Sequence, residues 1–385
     1  MFRRRIASLL VVALTACGGG TPAIPDGHGP DPVDAPSAAD ARPDAPAGPI
    51  AASGHAYVAM FLGGILSYAI DPATGALQAL PGQTIDAGDQ LYAIAADPGG
   101  AFVYAVALNA AEVRGYRTQA DGSLVPVSDT PPATGDMPTN LTVDPEGRFV
   151  FVGHAGEAAI RVYRIDPATG VLTALPAATT ATGASFIAVE PGGRFVYASS
   201  VEGIRGYALD DATGALTEIE GSPFGATKVF SGAIMIHPGG KFLYNTGGNL
   251  NGFAIDPESG ALTALPGSPF AADVHGDPSA LNLAIAPDGA TLFATTNPVD
   301  QTFLAYRVDA TTGALTAFTG SPFAAGSAPY SIAVDRSGRV AYVGSDNGSI
   351  AAFAIDPDAG TAAPVSGSPF AASGLQPEIV ITPTI

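Results

Sequence analysis

Residues 254–272, AIDPESGALTALPGSPFAA, join a turn signal, a short apolar run and a Gly-Ser-Pro-Phe tag. Close variants begin at Tyr163 (YRIDPATGVLTALPAA), Tyr207 (YALDDATGALTEIEGSPFGA), Tyr306 (YRVDATTGALTAFTGSPFAA) and Phe353 (FAIDPDAGTAAPVSGSPFAA). Taking Tyr68, Tyr116, Tyr163, Tyr207, Phe253, Tyr306 and Phe353 as one column gives steps of 48, 47, 44, 46, 53 and 47 residues, a period that belongs to repeat architectures. Each aromatic lies in a short strand such as GIRGYALD, which ends in an Asp-x-x-x-Gly turn and returns as a strand such as ALTAL, with glycine where the turn needs positive φ. Ahead of each stands another hairpin, for example IAVEPGGRFVYAS from Ile187 and IAVDRSGRVAYVG from Ile332. Four strands per unit in seven units predict an all-β, seven-bladed β-propeller.

The chain ends predict how the ring closes. The first unit starts at SGHAYVAMF without an innermost strand, and the final PEIVITPTI supplies one, because Ile379–Pro383 aligns with Ile187–Pro191. Closure removes the exposed sheet edges that would otherwise need protection. The Gly-Ser-Pro-Phe tags beginning at 221, 267, 320 and 367 are expected where an outer strand stops and crosses to the next blade, with proline ending the ladder and phenylalanine filling the groove between blades.

The N-terminus reads as an export signal. Arg3, Arg4 and Arg5 precede an apolar run, Ile6–Leu14, too short to span a bilayer, and Leu14-Thr15-Ala16-Cys17 resembles the bacterial lipobox. The expected organisation is a lipoprotein signal over 1–16, a disordered Pro/Ala/Asp-rich linker over 17–52 and the propeller over 53–385. Lipidation at Cys17 adds ~0.8 kcal/mol per buried CH₂, so two or more acyl chains make a lasting anchor. Gly18 follows the cysteine where an aspartate commonly holds lipoproteins at the inner membrane, which favours the outer membrane as destination. Cys17 is the only cysteine, so no intrachain disulfide supports the exported fold.

Removing the three signal arginines leaves 13 basic against 35 acidic residues, a net charge of −22, which argues against nucleic acid and against anionic ligands drawn in by the overall field. Much of the acidity is turn chemistry. Asp71, Asp97, Asp144, Asp166, Asp210, Asp256, Asp288, Asp309, Asp335 and Asp356 stand where strands enter turns, positions at which aspartate bonds its own backbone. His237 occupies the same kind of position in IMIHPGG and is read as structural.

The repeated IAVDPxGRFVYV and VYRIDPATGxLT patterns, with their closure, resemble the seven-bladed lactonase family that includes 6-phosphogluconolactonases and carboxymuconate cyclases, and the related surface-layer propellers. The resemblance covers about residues 54–385 and implies hydrolysis or isomerisation of a small lactone. In that family histidine commonly begins the inner strand, whereas the equivalent stretches here read MPTNLTV, GASFIAV, FSGAIMI, PSALNLA and PYSIAVD. The expected substrate is therefore a neutral or cationic lactone or a glycan, with weak or absent turnover of a phosphorylated lactone.

Propeller topology gathers the loops entering the inner strands and those between second and third strands on one face. There the sequence places His154, Glu157, Arg205 and His275 as candidate catalytic residues and Arg114, Arg161, Glu202, Lys228 and Asp277 as candidate binding residues. A histidine or carboxylate can take a proton from water while a cation stabilises the charge growing on a carbonyl oxygen. No cofactor and no metal are expected. The expected partner is a small-molecule ligand; the alternative is a non-catalytic scaffold binding an envelope protein or glycan. Membrane contact is through the lipid anchor only, and the chain is expected to be a monomer. Cys17→Ser should abolish the acyl mass increment and release the protein from the membrane fraction, which fractionation with mass spectrometry checks.

Overall fold

Second strands such as Phe102–Ala107 and Val340–Ser345 are buried at every position, because each blade is covered on both faces by its neighbours. Their continuous apolar runs, bounded by glycine turns, follow from that double burial. The computed structural model describes residues 54–80, 82, 85, 90–179, 183–225, 232–246, 249–270, 282–296, 300–372 and 374–383. The expected signal, Cys17, the linker through residue 52, Lys228, His275 and Asp277 lie outside the described residues.

Among the described residues there is no helix, and the strands form seven antiparallel sheets, each built on a four-stranded path. The inner strands of blades two to seven are Leu91–Ala96, Pro138–Val143, Phe186–Val189, Ile234–Ile236, Leu283–Ile285 and Pro329–Val334. Blade one takes its inner strand from the other end of the chain. Glu378–Pro383 pairs antiparallel with Gly54–Met60, in a register that sets Pro383 opposite Gly54 and Glu378 opposite Ala59. The inner strands pack side by side in a ring, and the closing strand touches those of blades two and seven.

Each interface carries its own apolar cluster. That between blades seven and one is made by Val340, Tyr342 and Ile350 on one side and Val58, Tyr68 and Ile70 on the other. Tyrosines tie the interfaces in both directions. The second-strand Tyr104, Tyr197, Tyr244 and Tyr342 donate to the carbonyls of Gly170, Gly260, Gly313 and Gly75, each in the third-to-fourth-strand turn of the next blade. The third-strand Tyr68 and Tyr163 donate backwards, to Ala371 and Ala133. The Tyr342–Gly75 and Tyr68–Ala371 bonds, 2.8 and 2.7 Å, thus join the last blade to the first.

The turn aspartates act on the backbone. In the Asp-x-x-x-Gly turn at 71–75, Asp71 Oδ1 accepts the amides of Ala73 and Thr74, and Gly75 adopts φ 73° to close the turn. These bonds favour the ionised carboxyl and hold Asp71, Asp166, Asp210, Asp256 and Asp309 below the usual carboxylate range. His237 substitutes for an aspartate: its Nδ1 accepts the amide of Gly239, and its Nε2 lies 3.1 Å from the carbonyl of Gly289 in the next blade.

The Gly-Ser-Pro-Phe tag does more than end a strand. After the short outer strand the chain bulges away through the Gly-Ser-Pro segment, which holds a cis Ser-Pro bond, and runs on in the same direction, so that the phenylalanine pairs again with the same third strand, as at Phe323 opposite Phe303 and Phe370 opposite Ile350. The outer position is therefore filled by two fragments with a gap between them. The serine closes that gap. Ser222, Ser268, Ser321 and Ser368 accept, on Oγ, the amides of Gly206, Gly252, Ala305 and Ala352 in the middle of the third strand. Phe224, Phe270, Phe323 and Phe370 pack on clusters that span their own blade and the next, so the phenylalanine seals the interface as the sequence predicts.

Deleting residues 376–385 should uncover the Gly54–Met60 edge and remove the inner strand of blade one. At about 2–4 °C per kcal/mol for chains of this order, the loss of several kcal/mol should lower the melting temperature by roughly 10 °C or more in a calorimetric scan. A truncated protein melting like the parent would show that the pairing does not hold the ring.

Candidate functional site

The inner strands enter the ring at the face that also carries the loops between second and third strands. Three of them are bulged there, with register shifts between Leu91 and Ala93, Pro138 and Asn140, and Pro329 and Ser331. The extra residues are Tyr92, Thr139 and Tyr330. A bulge re-aims the side chain it releases from the ladder. The Tyr330 phenol lies beside that of Tyr92, although the two belong to blades seven and two with blade one between them. Likewise the carboxyl of Glu378, on blade one, lies beside the Asn282 side chain at the entry to the inner strand of blade six, with blade seven between. Neighbours that skip a blade face one another across the central channel, so side chains from four blades come together there.

Electrostatics single out Glu378. Burial raises its carboxyl from the ordinary 4.5 to about 7, and the neighbouring Asn282 amide, which favours the carboxylate, opposes only part of that rise. The Asn282 side chain is oriented for this role: its Oδ1 accepts the amide of Leu283 at 2.9 Å, which leaves the Nδ2 to donate. Burial, followed by the nearby Tyr92 and Glu378, holds the Tyr330 phenol well above its ordinary value, so it stays protonated at neutral pH. Asp346, in the loop after Val340–Ser345, also acts on Tyr330; its Oδ1 is buried without a hydrogen bond among the described residues, and burial raises its carboxyl. Glu378, Tyr330, Tyr92 and Asn282 each keep part of their surface open.

These residues were not among the sequence candidates. The signal was there: in the inner-strand column Ala93, Asn140, Phe186, Ala233, Asn282, Ser331 and Glu378, one member carries a charge. That charge lies in the segment whose alignment marked it as the closing strand, where Glu378 reads as scaffold.

The sequence candidates that fall among the described residues, His154, Glu157, Arg205, Arg114, Arg161 and Glu202, occupy the rim of the same face. His154 ends the second strand of blade three and is fully buried. Its Nε2 accepts the amide of Gly135 at 3.0 Å and lies 2.8 Å from Thr134 Oγ1. The lone pair therefore sits on Nε2 and the proton on Nδ1, which makes no hydrogen bond among the described residues. Burial lowers the pKa of His154, with the charge of Glu157 opposing, so the ring is neutral at pH 7. Glu157 binds Arg161 through two contacts of 2.8 and 3.2 Å, which hold its carboxyl below the usual range.

Arg114, Arg161 and Arg205 share one register position on the third strands of blades two, three and four, opposite Ala105, Val152 and Ala198. Each meets an acid of its own blade. Arg114 lies 3.4 Å from Glu112, Arg161 pairs with Glu157, and the nearly buried Arg205 bonds both Glu202 and Glu218. At ~4.8 Å per strand, a third strand stands about 10 Å outward from the inner one. The structure thus joins His154, Glu157 and Arg161 into one rim cluster and holds Arg205 with Glu202 in another, with no hydrogen bond or ion pair between His154 and Arg205 among the described residues. No group of three or more His, Cys, Asp or Glu among the described residues could hold a metal ion.

The fold is shared widely with solved structures. The periplasmic gluconolactonase PpgL of Pseudomonas aeruginosa superposes with a TM-score of 0.73 at 19% identity, covering 86% of this chain and 99% of its own. A protein of Bacteroides uniformis described as a candidate 6-phosphogluconolactonase gives 0.72 at 16% identity, covering 86% and 99%. A Lactobacillus plantarum protein gives 0.71 at 16%, covering 85% and 99%. At these identities the likeness shows the fold alone. No curated protein sequence matches the chain. The sequence profile of the lactonase family with a seven-bladed β-propeller matches residues 127–182, 171–275 and 271–379. That match extends over more than half of the chain, and its blades agree with the sheets and closure described above: the chain belongs to the seven-bladed β-propeller lactonase family.

Proposed function

We propose that this protein is an envelope-anchored lactonase that hydrolyses a small uncharged lactone at the mouth of its central channel. The observation that carries the reading is the meeting of Tyr92, Asn282, Tyr330 and Glu378 across the channel, where polar and titratable groups converge as a ligand site requires. Membership of the lactonase family supports the reaction class, and the export signal and lipobox read from the sequence support the location. The likeness to a protein named as a periplasmic gluconolactonase is consistent with both.

The charge distribution supports an uncharged substrate. A phosphorylated lactone needs cations to replace the water around its phosphate. The rim arginines Arg114, Arg161 and Arg205 are each engaged by a glutamate, and the mature chain carries a net charge of −22. We place His154, Glu157 and Arg205 in substrate binding at the rim, and the sequence alone assigns His275, Lys228 and Asp277 to the same task. As a general base His154 would first have to release the Gly135 amide from Nε2.

A second reading, a non-catalytic scaffold for an envelope protein or glycan, is favoured by that same engagement of the rim groups with one another. The two part on turnover. Detergent-solubilised full-length protein assayed by pH-stat should hydrolyse D-glucono-1,5-lactone with a kcat/KM at least 10-fold above that for its 6-phosphate, and His154→Ala should raise KM more than it lowers kcat. Equal or preferred use of the phosphate would overturn the uncharged-substrate assignment, and absence of turnover on either lactone would favour the scaffold.

A further inference from the structure

We propose that Glu378, on the strand that closes the ring, is the proton-transfer group of the channel site, held by Asn282 and facing the Tyr92–Tyr330 pair, and that the ligand it serves is an uncharged hydroxyl-bearing ring. The inference rests on the lactonase reading above and assigns its chemistry to a residue outside the rim set.

The geometry comes first. Glu378 is the charged member of the inner-strand column; its strand packs between the inner strands bulged at Tyr92 and Tyr330, and its carboxyl has the Asn282 side chain as neighbour past an intervening blade. The elements packed on the closing strand bring four kinds of neighbour. Gly54–Met60 sets Ala59 opposite Glu378, Leu91–Ala96 carries Tyr92, Pro329–Val334 carries Tyr330, and the loop after Val340–Ser345 adds Asp346. None of these is a cation. An anionic ligand would meet two carboxyls here with no counter-charge among the described residues, whereas hydroxyl groups can donate to the carboxyls and stack on the phenol rings. The Tyr92 ring is itself fixed, with Phe61 edge-on at 6.2 Å and 77°.

The chemistry balances without a co-reactant other than water. The Glu378 carboxylate accepts a proton from a water molecule while that water's oxygen bonds the lactone carbonyl carbon. The Tyr330 phenol, which keeps its proton, donates to the oxyanion that forms. On collapse the ring C–O bond breaks, its electron pair stays with the departing oxygen, and the Glu378 carboxylic acid returns its proton there. The product is the open hydroxy acid, and Glu378 ends as the carboxylate it began as.

The pH behaviour follows in sign. Below about 7 Glu378 is protonated and cannot accept, so the rate should rise as pH passes through that value. Stability runs the other way: between the ordinary 4.5 and about 7 the unfolded chain gives up the proton while the folded protein keeps it, so the wild type loses stability as pH rises through this window.

Glu378→Gln in the full-length protein, assayed on D-glucono-1,5-lactone, tests the assignment. Removing a general base costs about 10²–10⁴-fold; the variant should lose at least 100-fold in kcat with KM changed less than about threefold. Its melting temperature relative to wild type should climb between pH 4.5 and 7, a readout independent of activity that also establishes folding. Asn282→Ala removes a neighbouring amide that favours the carboxylate and should move the acid limb of the rate profile to higher pH. A Glu378→Gln protein that keeps more than a tenth of the wild-type rate with the same pH profile would overturn the role of Glu378 and leave the lactonase reading standing. A wild type that hydrolyses no lactone would overturn both.

Discussion

Every blade of this protein buries both faces against its neighbours, so no blade can be completed without the next, and the series must end by meeting its own beginning. The pairing of Glu378–Pro383 with Gly54–Met60 satisfies that constraint. It joins segments more than 300 residues apart, but loop-closure entropy grows only logarithmically, about 0.6 kcal/mol for each doubling of length. Against it stand a full antiparallel ladder, the Tyr342–Gly75 and Tyr68–Ala371 bonds, and an apolar cluster like those at the other interfaces. A chain with one cysteine has no intrachain disulfide to close the ring instead.

The outer rim faces the opposite problem, because each blade ends there on an edge. The chain answers with a strand broken in two. The short outer strand covers one half of the third strand, the phenylalanine of Gly-Ser-Pro-Phe covers the other, and the serine hydroxyl takes the amide between them. No long edge is left to template pairing with another molecule. The same tag that blunts the edge also drives an aromatic ring into the interface, which explains why one short phrase recurs at several interfaces.

Closure and the proposed chemistry share a residue. Glu378 is the first residue of the strand that completes blade one, and it reaches Asn282 only because the ring has brought blade six opposite it. Until the ring closes, its carboxyl is solvated and ordinary. Ring formation pushes it up to about 7 and sets it beside two phenols, so the site and the fold are completed by one pairing.

Much of this architecture was legible in the residues. The seven-fold column of aromatics, the Asp-x-x-x-Gly turns and the alignment of PEIVITP with the inner strands are local patterns, and local patterns suffice where each unit repeats the same contacts with its neighbours. The turn aspartates and His237 could be read as structural for the same reason: their hydrogen bonds lie within a few residues. The role of serine in Gly-Ser-Pro-Phe was not legible, because its partner amide lies sixteen residues back on a strand the tag was expected to leave. Nor was the channel cluster. Tyr92, Asn282, Tyr330 and Glu378 carry no motif and no spacing; they meet because a closed ring places residues of non-adjacent blades across one axis. The sequence could set the identity and order of the blades because each depends on near neighbours, while the environment of Glu378 depends on the ring as a whole, and only the tertiary structure decides it.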